Sequence, residues 1–295
     1  MKRAAIILVI LAASSLLAQQ PGTPNPPAAQ SGTGQPGTTQ PSAPPAQGKR
    51  PPQAKTQPEF DAYKTVVAIT DPAGFEKAAD DFAAKFPDSE LRVVLYRSAM
   101  HLYQSANNGD KMLEMGRKVL KIDPDDPEAL VGVAEVLAER TRDTDLDKEQ
   151  RLDEAMKNAQ RAVQTVDTDI VASAETPKER VDAYKAFLRS TAYSIMGTLA
   201  LNKDKYAEAS GYLQQSIDAY PAQPDPVAVL RLAVALDKQE KYEEALKVAN
   251  RAVELTQEGS NAGTVARQER DRLVKLANAA SPATAPKPPS DQPKN

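Results

Sequence analysis

Cysteine and tryptophan are absent from this chain of 295 residues, and His101 is its one histidine. The first absence excludes disulfides, thiolate zinc sites, a thiol nucleophile and a lipid-modified N-terminal cysteine. With one histidine, neither a two-histidine metal site nor a helical H-E-x-x-H pair can be built. G-x-x-x-x-G-K, G-x-G-x-x-G and G-x-S-x-G are missing as well. Nor is there a cationic surplus: 37 basic against 40 acidic side chains give a net charge of -3, which argues against a phosphate-neutralising surface. No metal, no cofactor, no nucleic acid and no catalysis is the expectation.

Proline and aromatic residues are confined to complementary regions. Eleven of the 24 prolines lie in 1–58 and five in 282–293, while all 14 aromatics fall between Phe60 and Tyr242. Neither end has the large apolar groups that offset the entropy of ordering a backbone. The foldable part is therefore 59–279, flanked by disordered Pro-rich tails at 19–58 and 280–295. Within it are 30 basic and 39 acidic groups, so the folded region is strongly acidic and the segment before it, with Lys49, Arg50 and Lys55, is basic.

The first residues read as a secretory signal. Met1-Lys2-Arg3 is a positive start, Ala4 to Leu17 is largely apolar, and Leu16-Leu17-Ala18 before Gln19 resembles a small-residue cleavage site. An uncleaved anchor is the alternative, against which the apolar run stops after about 15 residues where spanning needs about 20. Cleavage after Ala18 would leave a periplasmic or extracellular chain whose segment 19–58, rich in Pro, Gln and Gly, acts as a spacer. Pro24-Asn25-Pro26-Pro27 and Pro41-Ser42-Ala43-Pro44 loosely fit a P-x-x-P ligand, a pattern that chance supplies in so proline-rich a stretch.

From Glu59 onward, apolar residues recur at i, i+3, i+4 and i+7 in stretches rich in Ala, Leu, Lys and Glu, with no alternating β-branched run. The chain is thus all-α. Asp126-Pro127 and Asp225-Pro226 place a capping carboxylate before a proline suited to the first helical position. Thr176-Pro177-Lys178-Glu179 reads as a capping box.

One pattern then repeats: an aromatic, Ala three residues on, a further apolar residue about one turn later, and a loop usually containing Pro. It occurs at Phe75/Ala78/Phe82/Phe86-Pro87, at Tyr206/Ala209/Leu213/Tyr220-Pro221 and at Tyr242/Ala245/Ala249/Ala252, with Ala155/Ala162 as a version lacking the aromatic. Ala78 to Met112 is 34 residues and Ala209 to Ala245 is 36. A unit of about 34 residues with these features resembles the tetratricopeptide repeat (TPR). Tyr193, Met196, Gly197, Ala209, Leu213 and Pro221 fill its signature positions best, followed by Val229, Leu232, Ala233, Leu236, Tyr242 and Ala245.

The resemblance implies a right-handed α-solenoid of helix-turn-helix units over about 59–92, 93–126, 127–168, 177–225 and 226–259, closed by a terminal helix at about 264–279. Two departures interrupt it. Nine extra residues between Leu137 and Ala155 imply a long charged loop in the third unit, and about 20 more before the next match leave room for one extended helix from Val181 to Leu201, with a possible split near 168–177.

Paired carboxylates at Asp80-Asp81, Asp125-Asp126 and Glu243-Glu244 point about 100° apart on a helix and share no site. Asp143-Thr144-Asp145-Leu146-Asp147 lacks the glycine and late glutamate of a calcium loop. What the family resemblance does imply is a concave groove lined by each unit's first helix, which nominates Arg97, His101, Val131, Glu135, Ser194, Thr198, Leu230 and Val234 as partner-binding. His101 is readable as a half-exposed polar residue or, with Arg97, as a contact for an acidic peptide. The asparagines of a carboxylate clamp are replaced by His101, Glu135, Thr198 and Val234. The expected function is an exported, non-catalytic scaffold that binds another protein or peptide in this groove; the alternative is a structural or self-associating component of a cell-envelope assembly acting through its outer faces.

Overall fold

The computed structural model describes residues 49–173 and 175–280. The expected signal peptide at 1–18, the spacer up to 48 and the tail from 281 lie outside the described residues. Within them are eleven helices and no strand: α1 Gln57–Val67, α2 Pro72–Lys85, α3 Leu91–Ser105, α4 Gly109–Ile122, α5 Pro127–Arg140, α6 Lys148–Asp169, α7 Lys178–Asn202, α8 Tyr206–Ala219, α9 Pro226–Asp237, α10 Tyr242–Leu255 and α11 Asn261–Ala280.

Local chemistry sets where these helices begin. Asp71, Asp126 and Asp225 each accept a hydrogen bond from a first-turn N–H, at 2.7, 2.9 and 3.0 Å, and each precedes a proline whose missing N–H is not needed there. The start of α7 differs from the capping box read at Thr176. Pro177 keeps an extended ψ of 137°, so it takes the cap position itself, the helix begins at Lys178, and no side chain caps it. The terminal helix begins three residues before the expected Thr264, because the Ser260 hydroxyl accepts from Gly263 N–H at 3.0 Å and starts it at Asn261.

Three of the turns inside helix pairs are built alike. Asn107, Asp204 and Glu240 adopt left-handed φ values of 55°, 56° and 62°. Each is followed by a residue whose N–H reaches back to a carbonyl five residues earlier: Asn108 to Tyr103, Lys205 to Ala200 and Lys241 to Leu236. That closure satisfies carbonyls orphaned at the helix end and reverses the chain tightly. The pair α5/α6 lacks it and is joined by the loop 141–147, in which Leu146 is fully exposed.

Packing follows chain order. Each helix lies against the next, as expected of an array whose units bury apolar faces only against their neighbours. Consecutive odd-numbered helices from α1 to α11 also approach one another, whereas among the described residues no two consecutive even-numbered helices do. The spacing is thus tighter on the odd side, and the array bends with α3, α5, α7 and α9 inside. On the outer side, long side chains span the wider gaps: Lys111–Glu76 and Lys118–Asp80 join α4 to α2, both at 2.8 Å, and Arg117–Glu154 joins α4 to α6 at 2.7 Å.

Close approach needs small residues. A Cβ on Gly197 would stand 2.5 Å from Leu213 Cγ and 3.2 Å from its backbone nitrogen, so α7 and α8 could not pack as they do. Ala134 and Ala233 are likewise fully buried. Two turns before Gly197, Ser190 and Ser216 clasp reciprocally, each hydroxyl donating to the other's carbonyl at 2.8 Å.

The stretch between α6 and α7 does not divide the molecule. Ile170 is buried in the same apolar cluster as Val166 and Leu188, and Arg189 pairs with Asp167 at 2.6 Å. As expected from the sequence, α7 is one long helix, 25 residues. The expected spacer ends early: residues 49–56 lie against the array, held by Arg50 on Glu90 and Lys49 on Asp123.

Candidate protein-binding face

The inner layer carries all eight nominated residues, in two chemically distinct groups. Arg97 and His101 on α3 face α5, whose first turn supplies Glu128 and whose cap is Asp126. Arg97 lies 3.1 Å from Glu128 and 3.2 Å from Asp126, and His101 Nε2 lies 3.2 Å from the other Glu128 oxygen. The Tyr184 phenol on α7 lies close enough to Glu128 to favour its charged form. Three consecutive inner helices thus converge on one carboxylate.

Electrostatics follow from that burial. Burial alone would push the Glu128 carboxyl up, but Arg97, His101 and Tyr184 outweigh it and hold the group down at about 2. Asp126 goes the other way: burial raises it, against the opposing pull of Arg97. Burial, reinforced by Glu128, also raises the Tyr184 phenol. For Arg97, burial is outweighed by Glu128 and Asp126, and the guanidinium is held more firmly charged than usual. Its charge is met within the fold, so it does not present the bare cation that an acidic peptide would need.

The second group is apolar and hydroxylic. Val131, Ser194 and Leu230 are buried, while Glu135, Thr198 and Val234 are partly exposed. Thr198 donates to the Ser194 carbonyl at 2.7 Å and accepts from Arg231 at 2.9 Å. The structure therefore brings Arg97 and His101 together, joins Ser194 to Thr198, and leaves Val131 and Leu230 as packing residues.

Glu128, Asp126, Tyr184 and Phe187 were not among the nominated residues. Phe187 is 48 % exposed, and its ring stacks on Tyr184 with centroids 6.5 Å apart. Both lie on the early turns of α7, before Tyr193, where the repeat register began. The sequence signal for them was the lone late phenylalanine in a helix too long for one unit. Among the described residues no group of three His, Asp or Glu side chains could hold a metal ion, and no helix is long and apolar enough to cross a membrane.

A bent array of antiparallel helix pairs, each in contact mainly with its neighbours, is an α-helical solenoid. Residues 196–260 match the family model of the tetratricopeptide repeat. Residues 196–260 thus carry the tetratricopeptide repeat, typical of protein–protein interaction scaffolds, and the described residues as a whole form an all-α helical-repeat solenoid. Among solved structures it is similar to PilF of Pseudomonas aeruginosa, with 14% identity and a TM-score of 0.49 over 76% of this chain and 94% of that one. YrrB, described as a TPR protein with an unusual peptide-binding site, shares 16% identity with a TM-score of 0.43, covering 68% of this chain and 90% of its own. MamA shares 17% with a TM-score of 0.39, covering 63% and 88%. No curated protein matches the sequence.

Proposed function

We propose that this protein is an exported, non-catalytic scaffold that binds a segment of another protein along its inner face. The observation that carries this reading is the half-exposed Phe187, stacked on Tyr184 beside the neutralised Arg97/Glu128 cluster. A large apolar group exposed on an inner face, rimmed by fixed polar groups, is the kind of anchor around which protein interfaces concentrate their binding energy. Export rests on the sequence pattern of residues 1–18, which would deliver the folded array outside the cytoplasm on its Pro-rich spacer.

The test pairs Phe187→Ser with a control at an exposed outer-face residue, Lys157→Ser. Partners captured from the native extracytoplasmic fraction should be lost with the first and retained with the second, while both variants keep the helical circular-dichroism signal. Equal capture by the two would reject the inner face as the binding surface. Mass measurement of the native protein's N-terminus, expected at Gln19, separately tests export.

A further inference from the structure

The segment preceding α1 occupies a defined track. Between-unit loops follow α2, α4 and α6, so the carboxyl ends of these three helices line one edge of the array. Helix carboxyl ends carry partial negative charge. Acidic side chains on this edge add to it: Glu90, Asp123 and Asp169. Across it lie three cations in seven residues. Lys55 Nζ donates to the Asp88 carbonyl at 2.7 Å. Arg50 grips Glu90 with both terminal nitrogens, one bond being 2.8 Å. Lys49 pairs with Asp123 and lies 3.6 Å from Asp169.

Main-chain bonds fix the path. Lys49 N–H donates to the Thr168 carbonyl at 3.0 Å, Gln53 N–H to Glu90 at 3.3 Å and Lys55 N–H to Glu59 at 2.7 Å. Six residue steps reach at most about 20 Å, and the even-numbered helices they pass are spaced more widely than the roughly 8–10 Å of direct packing. The segment thus has little slack, and Pro51-Pro52, which favour an extended backbone, suit it to the span.

We propose that this edge is a docking track for an extended, cationic segment, and that residues 49–56 are its resident occupant, held by charge and released by competing ions. The strap ties α1 to the end of α6 across two units, which nearest-neighbour packing cannot do. It also places Lys49, the first described residue, beside the α6–α7 junction and not at the first helix. The proposal is independent of inner-face binding, since the track lies at the loop edge.

The native chain has no cysteine, so spin labels at Gln53→Cys and Gln160→Cys in the full-length protein read the strap's position without background. At low ionic strength one narrow distance is expected. It should broaden with Lys49→Glu plus Arg50→Glu, and in about 1 M salt, where the screening length falls to about 3 Å. Arg50→Glu alone should broaden it and the exchange Arg50→Glu with Glu90→Arg should restore it. A broad distribution at low salt, or a narrow one indifferent to charge reversal, overturns the proposal. A labelled peptide of residues 49–58 should bind the full-length Lys49→Glu/Arg50→Glu variant at least about ten-fold more tightly than the wild type, whose track is filled at high effective concentration. Equal affinity for the two would also overturn it.

Discussion

Phe75, Phe82, Tyr96, Tyr103, Met100, Met112 and Met115 fill the apolar cluster of the first units, in which three of sixteen buried residues are alanine; around α8 to α11, nine of sixteen are. The outer faces differ in parallel. Ion pairs link α2, α4 and α6, whereas among the described residues none joins α8 to α6 or to α10. One architecture is thus reached in two ways. In the later units small residues let helices approach closely, and the ion pair to a buried carboxylate lies at the end of the array, where Arg272 on α11 meets Asp237 on α9. In the earlier ones bulky side chains hold the helices, and charged groups tie them at both faces. The family model matches 196–260, mostly within the alanine-rich region, because a repeat signature is a pattern of small residues at fixed places.

The comparison breaks most decisively at Arg97. Replacing it by Met leaves Glu128 and Asp126 without their shared cation, and losing one partner of a buried ion pair typically costs about 3–5 kcal/mol. Leu230→Met, at the corresponding inner position of the later half, should cost under about 1.5 kcal/mol. Urea unfolding of the two variants measures the contrast, and native-state hydrogen exchange should place the first loss in α3 to α5.

Acid exposes the same asymmetry. Glu128 titrates at about 2 in the fold against an ordinary 4.5. Because its folded value is depressed, its stabilisation is complete above about 4.5 and is lost as the pH falls toward 2. Asp126, raised by burial, acts with the opposite sign: its charged form disfavours the fold at neutral pH, and protonation relieves that. Glu128→Gln should therefore be less stable than the wild type at pH 7 and should flatten the decline between pH 4.5 and 2, as read by thermal melts. A wild-type acid limb of unchanged depth in the variant would count against the assignment.

A smaller effect is expected where the later half is tightest. Gly197→Ala forces a Cβ against Leu213, including its backbone, and overpacking of this kind costs about 1–3 kcal/mol. At Gly116 the obstacles are side-chain atoms, Val133 Cγ2 at 2.7 Å and Met100 Sδ at 3.3 Å. The Met100 thioether can move, whereas the buried Val133 is stiff at χ1 and shifts only with its helix; no backbone atom stands nearer than 3.8 Å, and alanine gains up to about 1 kcal/mol of helix propensity. Gly116→Ala should thus be the milder of the two in denaturant titrations. Least of all, Arg117→Ala removes an outer pair worth about 0–1 kcal/mol, an effect that should vanish in high salt.

Much of the fold was legible because it is local and repeated. Asp126-Pro127 and Asp225-Pro226 fix helix starts by chemistry within three residues, and the Ala209-to-Ala245 spacing reports a unit that recurs. The inner register at Arg97 and His101 was legible for the same reason. Their partner was not. Glu128 lies 31 residues beyond Arg97, and whether two such groups meet depends on how one unit sits on the next. Asp126 showed only its capping role, which it performs while also sharing Arg97. Thr176 failed as a cap for a reason equally invisible in the spacing, since the backbone at Pro177 stays extended. The docking of Lys49 and Arg50 depended on Glu90, Asp123 and Asp169, from three separate helix junctions, falling on one edge.

The 25-residue α7 belongs to both halves. Its Leu188 and Ala192 sit in the cluster with α5 and α6, while its Ala200 sits in the cluster with α8 and α9. A rod gripped at both ends works as a splint. Fraying that starts at α1 or at α11 has to lift this helix from one grip while the other still holds it, so damage at either terminus is arrested in the middle, and the two differently packed halves behave as one mechanical body.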